Sequence, residues 1–174
     1  MPTRTLAGMR IHVLAIALVL TLLAAGVTWE RTRPAGLITH GVVSRVVDGD
    51  TVYVSSGGRS EDVRLLGIDT PETVDPRRPV GCYGPEASAY TKHLLTGRQV
   101  TLVYDRVTRD VYGRYLAYVY LDGDPPVFVD AQLVELGYAR TLSIPPNTRH
   151  AQLFAHLEER AAIAGRGLWS ACGE

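Results

Sequence analysis

Apolar side chains alternate with polar ones in five stretches of this chain. Residues 38–47, 51–55 and 62–66 are rich in β-branched side chains, and turn residues separate them: Asp48-Gly49-Asp50 at the first junction and Ser56-Gly57-Gly58 at the second. Short runs of this kind, bounded by turn chemistry, predict strands. Two more strands are predicted over 99–106 and 112–121, with Asp122-Gly123-Asp124 as the turn after them. In three places the apolar period becomes that of a helix. Pro85 opens the first, Ala87, Tyr90, Leu94 and Leu95 recur on one face, and Gly97 stops it. A shorter helix carries Val129, Leu133, Val134 and Leu136 and ends at Gly137. In the third, Asn147 or Thr148 is the expected cap, Phe154, Leu157, Ala161 and Ala164 form the inner face, and Gly165 ends the helix.

Three strands, a helix, two strands and two helices give an α+β domain dominated by β structure. A five-stranded barrel with a helix between its third and fourth strands is the OB-fold arrangement. The expected domain covers residues 37–172. Before it lie a linker, 31–36, and an N-terminal segment, 1–30, of different character. Arg4 and Arg10 precede an apolar run over 11–27 broken only by His12 and Thr21, and Ala24, Ala25 and Gly26 lie near its end. A basic start, an apolar middle and a small-residue exit form an export signal. The run is also nearly long enough to be retained as a membrane anchor. Either reading places the domain outside the cytoplasm.

Charge narrows the chemistry. Of 18 basic and 18 acidic residues, four arginines and one glutamate lie within residues 1–33, which leaves 14 against 17 in the remainder. A domain that held nucleic acid by charge alone would be clearly basic. Any phosphate site here must be local, with a metal ion supplying positive charge. The two cysteines, Cys82 and Cys172, have no metal-ligand spacing around them. In an oxidising compartment they suggest one disulfide, against the alternative of two free thiols. No Gly-x-Ser-x-Gly elbow or His-Glu-x-x-His motif occurs, and the five histidines show no pairing suited to zinc.

Four stretches carry the candidate chemistry: Asp48-Gly49-Asp50-Thr51, Arg64 to Glu72, Tyr83 to Tyr90, and Asp110-Val111-Tyr112-Gly113-Arg114. If the first three strands form a meander, the end of the third lies near the start of the second, which brings Asp50 towards Asp69. Two carboxylates held together repel unless a cation or a proton lies between them. Oxygen donors of this kind suit calcium. Glu72 is near enough in sequence to reach a metal-bound water, and Arg64 and Arg114 are each able to grip a phosphate with paired hydrogen bonds. Each stretch alone is also an ordinary turn, helix start or solvated charge.

In that order and spacing, the four stretches resemble the thermonuclease, or staphylococcal nuclease-like, family from about Gly41 to Ser170. Gly137-Tyr138-Ala139-Arg140, Pro146-Asn147 and Gly167-Leu168-Trp169-Ser170 extend the likeness. The resemblance implies the OB-fold and calcium-dependent hydrolysis of DNA and RNA to 3′-phosphorylated products; a monomer is expected. By motif position it implies Asp50 and Asp69 as calcium ligands through their side chains and Thr70 through its carbonyl, with Asp48 behind them. Glu72 would position or deprotonate the attacking water, Arg64 and Arg114 would stabilise phosphate charge, and Tyr112 would lie beside the nucleotide. The chain departs from the staphylococcal member at Val111, where that member has lysine, and at Leu142-Ser143-Ile144, where it has two tyrosines. The rival readings are an OB-fold module that binds nucleic acid without cutting it and an envelope-associated structural domain.

Overall fold

The computed structural model describes residue 37 and residues 39–173; the expected export segment and linker lie outside the described residues. Among the described residues, no helix is long and apolar enough to cross a membrane.

Three antiparallel strands open the fold: β1 (His40–Val46), β2 (Thr51–Ser56) and β3 (Arg59–Leu65). β4 (Gly67–Asp69) follows at once, and α1 (Gly84–Leu95) then leads into β5 (Gln99–Arg109) and β6 (Tyr115–Leu121). β5 pairs with β1 and β6, and β6 runs parallel to β3. That last pairing closes β1, β2, β3, β6 and β5 into a barrel. The two-residue strand β7 (Val127–Phe128) pairs antiparallel with β6, and α2 (Val129–Glu135) follows it. β8 (Arg140–Leu142) pairs with β4, and α3 (Ala151–Ile163) and α4 (Leu168–Ala171) complete the chain.

Alternation explains the barrel. Val52 and Val54 on β2, Val63 and Leu65 on β3, and Val100 and Leu102 on β5 all point inward and are buried. Tyr115, Ala117, Val119 and Leu121 fill the same core from β6. Their polar neighbours point outward, which frees Arg64 from the core while both flanking residues stay in it. Helix α3 plugs one side with Phe154, Leu157 and Ala161. Gly67, at φ 77°, is pressed against the Phe154 ring, so both its backbone angle and its lack of Cβ are required.

The structure corrects several expectations. There are four helices rather than three among the described residues, because Leu168–Ala171 forms a further short turn. Helix α3 is not capped by Asn147 or Thr148: His150 is its N-cap, and its side chain accepts no cap bond. Asn147 is instead engaged with the backbone of Val107, donating to its carbonyl at 2.7 Å and accepting from its N–H at 2.8 Å. Ala164 is exposed, since the helix has ended at Ile163. Tyr112 lies in the turn before β6, not on the strand.

Candidate active site

The turn Asp48-Gly49-Asp50 joins β1 to β2, and two threonines clamp it. Thr91 of α1 donates its hydroxyl to the Gly49 carbonyl at 2.8 Å. Thr70, at the end of β4, packs so closely that a Cβ on Gly49 would lie 2.7 Å from its side chain. Thr70 also donates its backbone N–H (2.7 Å) and its hydroxyl (3.0 Å) to Asp50 Oδ2. Asp50 Oδ1 accepts the Thr51 hydroxyl at 3.1 Å. This carboxylate is buried and fixed from three directions.

Arg64 sits on β3 directly across from Thr51 of β2. One guanidinium nitrogen is ion-paired with Asp50 Oδ2, and another donates to Asp69 Oδ1 at 2.7 Å. The two carboxylates that the sequence brings into suspicion therefore do converge, and the cation between them is the Arg64 guanidinium. Asp50 is almost fully enclosed, whereas the Asp69 side chain is more than half exposed. Burial raises the Asp69 pKa, Arg64 pulls it back, and the charges of Asp50 and Glu72 push it up again. Asp48 accepts the Asp50 N–H at 3.3 Å, and burial together with the Asp50 charge raises its pKa to about 6.

Glu72 is held differently. Its Oε1 accepts the backbone N–H groups of Thr73 (2.9 Å), Val74 (2.8 Å) and Asp75 (3.0 Å). These bonds, led by that from Val74, hold the carboxyl below its ordinary pKa. Glu72 is thus an anion, and a weak base, at neutral pH. It lies close enough to Asp69 for its charge to be felt there.

Arg114 shares a cleft of about 590 Å³ with Arg64. The carboxylate of Asp110 fixes it, accepting Arg114 Nε at 2.7 Å and the Arg114 N–H at 3.0 Å. The same carboxylate accepts the Tyr112 N–H at 2.9 Å, so one aspartate shapes the whole turn. Tyr112 is 82% exposed on the cleft rim, with the Arg114 guanidinium 5.6 Å from its ring centre. Val111, Leu142 and Ile144 also line this cleft. Its rim is apolar at these three positions.

Asp69 and Thr70 line a smaller cavity of about 180 Å³ on the other side, together with Arg140 and both cysteines. Cys82 and Cys172 are disulfide-bonded, with Cα atoms 5.9 Å apart. Sequence reasoning did not single out Thr91, Asn147 or Asp110 as organisers of the site. The first two act across 42 and 40 residues of chain, a reach without a local signal. Asp110 was visible as the first residue of its motif.

Asp50 and Asp69 offer hard oxygen donors on one cationic position, which suits calcium better than a soft metal. Among the described residues, no three His, Cys, Asp or Glu side chains gather to hold a metal. A cation there would draw on a backbone carbonyl and water for the rest of its shell. Among the described residues, Asp50 Oδ1 accepts a hydrogen bond from the Thr51 hydroxyl alone, which leaves it a lone pair for this.

Residues 62–171 match the family model described as Staphylococcal nuclease homologue. The chain is 44% identical to a thermonuclease of Staphylococcus intermedius and 40% identical to one of Staphylococcus hyicus, each over 128 residues and 74% of both chains. It is 38% identical to an endonuclease of Bacillus subtilis over 133 residues, 75% of this chain and 62% of the relative.

Proposed function

We propose, from the premise that this chain belongs to the staphylococcal nuclease homologue family and is a phosphodiester hydrolase, that it is an exported, calcium-dependent nuclease of DNA and RNA. The observation that carries this reading is the convergence of Asp50 and Asp69 on one cationic position beside a cleft whose lining includes Arg64 and Arg114.

In this reading Asp50 and Asp69 hold calcium through carboxylate oxygens and Thr70 through its carbonyl, with Asp48 supporting Asp50 from behind. A calcium ion held there would offset charge on the phosphate and lower the pKa of a bound water. Arg64 and Arg114 grip the phosphate oxygens from the cleft and stabilise the charge that builds on them. Tyr112 offers an exposed ring on which a base can stack. Glu72, anionic and held by three amides, aligns water opposite the departing 5′ oxygen. Its lowered pKa favours orientation over complete proton removal. Rupture of the bond to the 5′ oxygen leaves the phosphate on the 3′ side.

Export rests on the basic and apolar pattern of residues 1–30, and the disulfide supports it, since such bonds persist in oxidising compartments. The test is an assay of the full chain on DNA and RNA with and without calcium, with end-group analysis of the products. Binding without cleavage under every metal would overturn the reading in favour of a nucleic-acid-binding module.

A further inference from the structure

Cys82 stands at the base of the loop that Glu72 begins. Gly81 donates its N–H to the Glu72 carbonyl at 2.7 Å and closes the loop. Its contact is so close that a Cβ on Gly81 would lie 2.7 Å from Pro71 and 3.0 Å from the Glu72 nitrogen. Gly84, two residues beyond Cys82, presses on the Pro71 carbonyl in the same way, with a Cβ that would lie 2.8 Å from it. The segment 81–84 is therefore a backbone clamp on the Pro71–Glu72 peptide. Cys172, the other half of the bond, follows α4, whose Leu168 is buried and donates its N–H to the Gly137 carbonyl at 2.9 Å. The disulfide joins the clamp to this anchored segment, and both its cysteines line the cavity that Asp69 and Thr70 also line.

We propose that the Cys82–Cys172 disulfide is a positioning element of the nuclease site, holding the Pro71–Glu72 peptide and so the Glu72 carboxylate in register with Asp69 and Arg64. The inference rests on the reading of Glu72 as the group that aligns water. A dithiol reductant breaks the sulfur–sulfur bond, passes two electrons and two protons to the cysteines, and becomes a cyclic disulfide. Cys82 is exposed, so the reductant can reach it. Reduction frees the clamp from its anchor while the barrel core, which the bond does not touch, stays packed. Displacement of an aligning group by a fraction of an ångström is felt in turnover more than in binding. The nuclease is then slow in a reducing compartment and reaches full rate only where the bond has formed.

The test measures kcat and KM of the full chain on single-stranded DNA at saturating calcium, in oxidised, reduced and re-oxidised protein and in the Cys82→Ser/Cys172→Ser double variant. The assay temperature is set below the melt of the reduced form, and near-ultraviolet circular dichroism verifies the native core. We expect kcat to fall about tenfold or more with KM within about twofold, and re-oxidation to restore it. Glu72→Gln serves as the reference: its kcat should be low and should fall no further on reduction. Unchanged kcat in folded reduced protein, or a loss confined to KM, overturns the proposal. A Glu72→Gln variant with wild-type kcat overturns instead the reading of Glu72 beneath it.

Discussion

Arg64 is ion-paired with Asp50 across the β2–β3 ladder, in the very position where a metal ion would neutralise Asp50 and Asp69. One positive group therefore serves two negative ones. Removing it leaves a buried carboxylate uncompensated, a change that costs several kcal/mol when the pair is fully enclosed. Here the Asp69 side of the arrangement is open to solvent, so we expect Arg64→Gln to destabilise the metal-free protein by roughly 2 kcal/mol. Calcium should restore more stability to this variant than to the wild type, because it supplies the missing charge. Thermal melts of both proteins with chelator and with calcium check this. Equal calcium responses would mean that the guanidinium and the metal do not share a position.

Asp48 gives the stability a pH signature. Its pKa rises from 3.8 to about 6, first through burial and then through the charge of Asp50. A raised carboxyl pKa means that the folded state prefers the protonated form. The favourable contribution is present below the unfolded value and is lost as pH rises through about 6. Asp48→Asn keeps an oxygen for the Asp50 N–H and removes the charge. Its stability relative to the wild type should be near zero at pH 4 and rise to about 2 kcal/mol at pH 7.5, since the repulsion is shared with Asp50. Urea unfolding of both proteins in chelator at those two pH values measures the difference, and a difference independent of pH would contradict the assignment.

The barrel was legible because its strands obey a two-residue alternation that burial enforces: Val52, Val54, Val63 and Leu65 are inward, and Arg64 is outward. β4 and β8 were not legible. Each is three residues long, and Leu66, Gly67 and Ile68 are all buried, so no alternation marks them. Yet this long-range pairing sets the direction of the Asp69 backbone, which lies opposite Arg140. The carboxylate pair was readable from the meander, but its arginine partner was not, since motif order carries no information on which side chain lies between two others. The cap was misread for a related reason. Asn147 has the chemistry of a helix cap and spends it on Val107, 40 residues away.

Asp110 should matter to catalysis without touching substrate. Its carboxylate holds Arg114 Nε and shapes the turn that carries Tyr112. Asp110→Ala frees the guanidinium to rotate and unties the turn, so kcat/KM should fall about tenfold. Arg114→Ala should cost more. The double variant should be no worse than Arg114→Ala alone, because the two residues act as one unit. Steady-state kinetics of the three variants settle this, and additive losses would show that Asp110 acts through something other than Arg114.

Activity should require calcium, and the requirement should follow Asp50 and Asp69. The domain is slightly acidic overall, so nothing distant offsets the repulsion between two carboxylates and a polyanion. Arg64 cannot neutralise Asp50 and Asp69 and grip a phosphate with the same nitrogens. A second cation must relieve it before substrate can be held well. A hard ion with flexible coordination suits a site built from two carboxylates, a carbonyl and water, whereas magnesium demands a tighter octahedron and places water badly. Chelation should therefore abolish cleavage, calcium should restore it, and magnesium should restore much less. Asp50→Ala should raise the calcium concentration needed for half-maximal rate by at least about tenfold. Its barrel should remain folded, because Asp50 lies in the turn before β2 while Val52 and Val54 of that strand fill the core. Calcium titrations of cleavage rate, paired with calorimetric calcium binding to each variant, check both halves. Full cleavage by metal-free protein in excess chelator would overturn the metal assignment, and it would leave Arg64 as the sole cation of the carboxylate pair.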